Sequence, residues 1–375
     1  MKSAYLILSA ACFLSAYLQA QTPPPDGVVS PEVLADRSVT FRLRAPKATE
    51  AALYGDWMQP GTSSAMSKGT DGIWAVTTAP LEANVHLYWF ILDGVAIADP
   101  VNPILKLRQR TSASLVEIPA TPSAPWEVRD VPHGTVVTEW AKSAVLNRTE
   151  RIVLYLPPGY EKSAKRYPVL YLVHGSGDTP DSWTNAGHAN LILDSLIAEG
   201  KAKPMIVVMP AGHAAPFGAR QSGAPANNSE LFEQYLTREV IPTIEKKYRV
   251  AAGSKNRALA GLSMGGGHTI HTGFMHPELF GALGSFSPGL PRDFEAKFKS
   301  VLADPKAFNA KVGLVWIACG DKDASVNYQR VEAWAESVEK AGIHVKFQTY
   351  EGAHTWPVWR VSLAEFAPML FLNVK

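Results

Sequence analysis

The sequence predicts an α/β architecture, a mostly parallel sheet wrapped by helices, with a smaller all-β unit ahead of it. Three observations carry that expectation. From residue 126 onward, apolar strand-like runs alternate with amphipathic helical segments. Residues 27–118 instead alternate in short period-two stretches without a convincing helix. Between the two textures lies Pro119-Ala120-Thr121-Pro122-Ser123-Ala124-Pro125, by composition a stiff linker over residues 119–125.

Residues 1–20 are expected to be a cleaved signal peptide. Lys2 supplies the positive end, residues 4–18 are apolar, and Leu18-Gln19-Ala20 offers a small residue for cleavage. The run falls short of the ~20 residues that span a bilayer, which argues against an anchor. A lipoprotein signal fits less well, because in Leu8-Ser9-Ala10-Ala11-Cys12 the leucine sits one position too early. The mature chain is therefore expected to be secreted or periplasmic, with no membrane segment.

Residues 27–118 suggest a β-sandwich. Residues 38–44, 72–77 and 86–91 form its clearest strands, with turn signals at Asp71-Gly72 and Asp93-Gly94. In the larger part, 126–375, strands are expected at 151–156, 169–173, 205–209, 314–318 and 344–350. Helices are expected at 191–199, 231–248, 268–274 and 328–341.

Composition excludes some classes of partner. The chain has 375 residues, 46% hydrophobic, and its formal net charge of +2 gives no field for steering nucleic acid. Beyond the signal only Cys319 remains, so no internal disulfide can form. Its setting after Leu314-Val315-Trp316-Ile317-Ala318 marks a buried strand residue and not a nucleophile. His268 and His271 could share a helix face, but no nearby glutamate or second motif supports a metal site. No phosphate loop or nucleotide fingerprint occurs, and no cofactor is expected.

The motif that carries chemistry is Gly261-Leu262-Ser263-Met264-Gly265, with a short apolar strand before it and a helix after. A serine on that sharp strand-to-helix turn is strained and needs small neighbours, and the helix N-terminus favours a developing oxyanion. Its hydroxyl needs a base. In the α/β-hydrolase order an acid and then a histidine follow the serine. His354, just past the end of a strand, is preferred to His344 at the strand's start. Asp321 and Asp323 both follow the strand at 314–318, and Asp323 is preferred as the partner that fixes the imidazole. The oxyanion hole should combine the Met264 N–H with a second N–H after an earlier strand, assigned to Ser176 in His174-Gly175-Ser176-Gly177. His174 precedes the serine and is expected to be structural.

These motifs resemble carbohydrate esterase family 1. The resemblance rests on His-Gly-x-Gly at 174–177 with Trp183, Gly-Leu-Ser-Met-Gly-Gly at 261–266, Gly-x-x-Asp at 320–323 and His-x-Trp-x-x-Trp at 354–359. It covers about residues 126–375 and implies an α/β-hydrolase fold with Ser263, Asp323 and His354 as catalytic triad. That family contains feruloyl and acetylxylan esterases, and its esterase-D-like relatives include siderophore esterases. Residues 38–45, Tyr54-Gly55-Asp56-Trp57 and Asp99-Pro100-x-Asn102-Pro103 resemble the family 48 carbohydrate-binding module, an immunoglobulin-like sandwich. Trp57, Trp74 and Trp89 could then stack on sugar rings, or simply pack.

Trp183, His213, Phe217 and Trp356 follow strands on the expected active-site side and are candidates to line an acyl pocket. Trp359 and Arg360 are expected to begin the last helix. The resulting expectation is a secreted serine esterase acting on feruloylated or acylated plant polysaccharide. Acetylxylan or siderophore ester cleavage are the alternatives within the class. A glycan-binding protein on a dead hydrolase is the alternative outside it.

Overall fold

Eight strands form one sheet: Thr135–Ser143 (β1), Arg148–Leu156 (β2), Val169–Val173 (β3), Ile206–Met209 (β4), Arg257–Leu262 (β5), Ala282–Phe286 (β6), Leu314–Gly320 (β7) and Val345–Tyr350 (β8). The computed structural model describes residues 27–108, 112–215, 228–291 and 293–372, so the expected signal peptide and Phe217 lie outside the described residues. The spatial order is β1-β2-β4-β3-β5-β6-β7-β8. Strands β3 to β8 run parallel, while β2 is antiparallel to both β1 and β4.

Burial explains the strand sequences. Val169, Tyr171 and Val173 face one core with Phe232, Ile270 and Val331. Leu170 and Leu172 face the other with Trp183, Ile192 and Leu363. A sheet covered on both faces reads as a continuous apolar run, which is why β3 and β4 were legible. β1 was not, because this edge strand leaves Val136 and Trp140 exposed and buries only Ser143. The helix expected over 231–248 is interrupted: Asn228–Tyr235 gives way to a π turn, Leu236–Val240, before Ile241–Lys247. Pro242 cannot donate to the carbonyl of Arg238, and the wider turn accommodates its ring.

The N-terminal residues form a four-stranded and a six-stranded sheet around Phe41, Leu53, Trp74, Tyr88 and Phe90. In the strand Val85–Leu92, Tyr88 and Phe90 point into this core. Val85 and Leu87, together with Leu115, point the other way and join the core beneath the helices Ala189–Ala198 and Trp356–Phe366. The six-stranded sheet is therefore buried against the hydrolase part.

Polar contacts reinforce that seam. Arg360, fully buried, makes a bidentate pair with Glu117 at 2.9 and 2.6 Å and donates from Nε to the Ala186 carbonyl at 2.8 Å. Residues 119–125 are docked as well. Glu127 receives the Ala120 N–H and the Ser123 hydroxyl, and the Pro125 carbonyl accepts from Ser195. Among the described residues no helix is long and apolar enough to cross a membrane.

Removing Glu117 would leave a buried guanidinium without its counter-charge. Breaking a buried pair costs about 3–5 kcal/mol. Glu117 is 34% exposed, and solvent screening lowers the expected loss to about 2–3 kcal/mol. Denaturant unfolding of Glu117→Ala should show this loss, and wild-type stability would refute the contribution of the Arg360–Glu117 pair.

Candidate active site

Parallel strands deliver the loops that follow them to one edge of the sheet. Ser263 follows β5, Asp323 follows β7, His354 follows β8, and the turn 174–178 follows β3. Ser263 sits at φ 52°, ψ −111°, a strained conformation for a non-glycine residue. It is held there by its N–H to the Phe286 carbonyl at 2.8 Å and by two donors, Gly267 and Gly289, on its own carbonyl at 3.0 Å. The flanking glycines are sterically required. A Cβ on Gly265 would stand 2.4 Å from the Val173 carbonyl oxygen, and one on Gly261 would stand 2.6 Å from the Gly265 backbone.

Ser263 Oγ lies 3.0 Å from His354 Nε2, and His354 Nδ1 lies 2.7 Å from Asp323 Oδ2. The second contact places the Nδ1 proton toward the carboxylate and leaves Nε2 free to accept from the hydroxyl. Asp323 is buried, and its other oxygen accepts the N–H groups of Ser325 and Val326 at 3.1 and 3.3 Å. Burial alone would raise its pKa. The hydrogen bond and charge of His354, with the Val326 N–H, outweigh that and hold it below the usual carboxylate range. Asp321, the other acid considered, is exposed and accepts the Gly352 N–H at 2.9 Å. It ties down the loop that carries His354 without touching the imidazole. Burial pushes the Cys319 thiol up to about 12, in keeping with an inert strand residue.

The turn Gly175–Asp178 closes through Asp178 N–H to the Gly175 carbonyl at 3.2 Å. Gly177 at its third position has φ +79°, as a type II turn requires. Among the described residues neither the Ser176 nor the Met264 N–H has a hydrogen-bond partner. Both expected oxyanion donors are thus free.

A cleft of about 290 Å³ opens over Ser263. Leu262, His354, Trp356 and Trp359 line one side, and Tyr54, Asp56, Leu87, Trp89, Lys106 and Arg108 of the N-terminal sheets line the other. Sequence reasoning missed this second wall. Of the three tryptophans considered for sugar stacking, only Trp89 faces the cleft, stacked on Tyr54 at 4.1 Å. Trp57 lies over Phe41, and Trp74 is buried with its N–H on the Ala45 carbonyl. Lys106 forms a buried ion pair with Asp178 and lies over the Trp356 ring.

The pocket candidates need correction. Trp183 is fully buried, its N–H on the Val173 carbonyl, so it supports Trp356 from behind and cannot touch a substrate. His213 is not on the cleft wall; its Nε2 accepts the Gly177 N–H at 3.0 Å. Trp356 does line the cleft, but as the first residue of the helix Trp356–Phe366 and not from a loop. Trp359, expected only to begin that helix, is on the wall too, with its ring edge-on to His354.

A layer of imidazoles underlies the site. His174 Nε2 accepts the Gly212 N–H at 2.9 Å, and His268 Nε2 lies 3.0 Å from the Gly212 carbonyl. Burial holds His213 down to about 4 and His268 to about 3. An unfolded histidine protonates near pH 6.5. Between these values the unfolded chain binds protons that the native state refuses, so stability falls as pH drops from about 6.5 toward 4. Melting temperatures measured at pH 7 and 4.5 should show a smaller acid loss in His268→Gln than in wild type. Equal losses would contradict a neutral buried His268.

The Esterase family model matches residues 143–370. An endo-1,4-beta-xylanase/feruloyl esterase of Xylanibacter ruminicola is 36% identical over 351 residues, covering 91% of this chain and 46% of that protein. An uncharacterized Corynebacterium glutamicum protein is 26% identical over 56% of this chain and 54% of its own length. The chain thus spans about half the length of these relatives. Among solved structures, a ferulic acid esterase is 30% identical with a TM-score of 0.53, over 63% of this chain and 97% of that one. An enterobactin esterase from Shigella flexneri shares the fold at 18% identity, with a TM-score of 0.67 over 90% of this chain and 94% of that one. With the family model matching more than half of its length, on an α/β-hydrolase sheet, this chain belongs to the Esterase family.

Proposed function

We propose that this chain is a secreted feruloyl esterase that works through an acyl-enzyme on Ser263. The observation that carries the substrate class is the cleft over Ser263, walled by Tyr54, Trp89, Trp356 and Trp359. A hydroxycinnamoyl ring stacked on such a face gains ~0.5–1.5 kcal/mol beyond its area burial, which an acetyl group cannot. A relative matched across both parts of the chain is a xylanase/feruloyl esterase, which supports a plant polysaccharide as the alcohol side of the ester.

The chemistry follows from the geometry. As Ser263 Oγ attacks the ester carbonyl carbon, its proton passes to His354 Nε2, and Asp323 stabilises the imidazolium. The carbonyl pair moves onto oxygen, which the Ser176 and Met264 N–H groups receive. Collapse breaks the C–O bond to the sugar, and His354 returns the proton to the departing alkoxide. Water then repeats the sequence on the acyl-enzyme and releases the acid.

In this reading residues 27–118 form an immunoglobulin-like unit like a family 48 carbohydrate-binding module, joined by 119–125 to the hydrolase unit 126–375. It serves as a wall of the active site. Residues 1–20 direct export.

One observation favours a second reading, cleavage of a siderophore ester: Lys106 and Arg108 stand on the cleft wall and could meet an acidic ligand. Lys106, however, is already neutralised by Asp178, and Asp56 shares the wall with Arg108.

Ser263→Ala should lower kcat by on the order of 10⁶, and Asp323→Asn by about 10⁴ through the wrong imidazole tautomer. Near-wild-type turnover of a p-nitrophenyl ester by Ser263→Ala would end the mechanism. Activity lost in Asp321→Asn and kept in Asp323→Asn would move the acid to Asp321.

Methyl ferulate, acetylated xylan and a siderophore trilactone, compared at equal enzyme concentration, should rank in that order. Trp356→Ala should narrow the gap between feruloyl and acetyl esters. Residues 126–375 alone should fail on small esters as well as on polysaccharide, because one wall of the cleft is gone. Acetylated xylan as the best substrate, or a fully active fragment, would overturn the substrate assignment or the role of the N-terminal unit respectively.

A further inference from the structure

The candidate oxyanion donor Ser176 sits at the second position of a type II turn. Type I and type II turns differ by rotation of the central peptide, here Ser176–Gly177, through about 180°. Gly177 removes the steric reason to prefer one orientation for long, since glycine accepts either sign of φ. Something else must select it. The N–H of that central peptide is the one bonded to His213 Nε2 at 3.0 Å.

His213 is itself fixed from both sides along the chain. Arg148 donates to the carbonyls of His213 and Ala214. Gly212 before it is clamped by His174 on its N–H, and its carbonyl lies 3.0 Å from His268 and 3.1 Å from the Asn228 amide. The same amide reaches Met264 Sδ at 3.4 Å, next to the other expected donor. On the far side of the turn, Asp178 is anchored by Lys106.

We infer that His213 is a positioning residue for ester hydrolysis: its Nε2 lone pair locks the Ser176–Gly177 peptide and thereby holds the turn that presents the Ser176 N–H to the oxyanion. The inference rests on the acyl-enzyme reading above. Accepting at Nε2 requires the neutral ring with its proton on Nδ1. A second proton would set two donors face to face and release the turn. Among the described residues, the groups that face the ring are His174, 5.4 Å away between centroids, with the charges of Asp178 and Arg148. Burial and the proximity of His174 keep His213 neutral down to about 4.

The test uses the full chain with methyl ferulate as substrate and an arylboronic acid as a tetrahedral adduct of Ser263. His213→Phe keeps a ring without the acceptor. It should lower kcat about 10–100-fold while KM stays within about 2-fold, and should weaken the boronate by a similar factor. His213→Gln, whose amide oxygen can accept and cannot be protonated, should recover most of both. If His213→Phe does not fold, the ratio of His213→Gln to wild-type kcat carries the test. That ratio should rise as pH falls from about 6 through 4, and any pH dependence common to both proteins cancels in it. A His213→Phe enzyme with wild-type kcat, a loss confined to KM, or a flat ratio overturns the inference. Any of these beside an inactive Ser263→Ala leaves the acyl-enzyme mechanism standing, whereas an active Ser263→Ala removes the mechanism itself.

Discussion

The approach of β5 to β3 at the serine turn is the constraint on which the active site depends. The Gly265 backbone passes so close to the Val173 carbonyl that no side chain fits between them. That contact brings the start of the helix Met264–Met275 alongside the end of β3. The two N–H groups proposed to receive the oxyanion, on Met264 and Ser176, belong to the segments that meet there. Strain at Ser263 is sustained because its N–H and carbonyl are bonded to Phe286 and Gly289, at and just past the end of β6, and its carbonyl also to Gly267 in the helix that follows it. Once this knot is tied, the acid and the histidine need only follow strands farther along the same edge.

A second constraint is the seam between the N-terminal sheets and the helices Ala189–Ala198 and Trp356–Phe366. The strand Val85–Leu92 divides its side chains between two cores, and the same alternation that buries Val85 and Leu87 brings Trp89 to the cleft. One period-two pattern thus performs two tasks, docking at one end and lining at the other. The histidine loop is coupled to this seam through its own helix, since Trp356, Trp359 and Arg360 lie on consecutive turns after His354.

Much of the catalytic geometry was legible in the sequence, because each triad candidate is marked by local chemistry: small residues around Ser263, and strand ends before Asp323 and His354. The choice between Asp321 and Asp323 was harder, since both sit on the same strand end and only the three-dimensional path shows which one faces the imidazole. Trp183 was misplaced because a loop tryptophan and a buried one have the same local signature; its burial comes from Trp356 and Phe286 packing over it. The second wall of the cleft was invisible for a related reason. Contacts such as Lys106 with Asp178 leave no periodicity or spacing in either segment, and the pairing emerges only when the sheets dock. His213 was singled out for its position after β4, yet its hydrogen bond turns away from the cleft wall.

The pair between Glu117 and Arg360 joins residues 243 positions apart. Chains are made from the N-terminus at roughly 5–20 residues per second, so Glu117, Val85 and Leu115 wait on the order of tens of seconds for the helix that covers them. Until then the six-stranded sheet lacks part of its apolar cover, and Glu117 lacks its guanidinium partner. The last large helix to be synthesised closes both the seam and the histidine loop. A nascent chain cut short before this helix already carries His354, but it has neither a sealed sheet nor an anchor for the histidine loop.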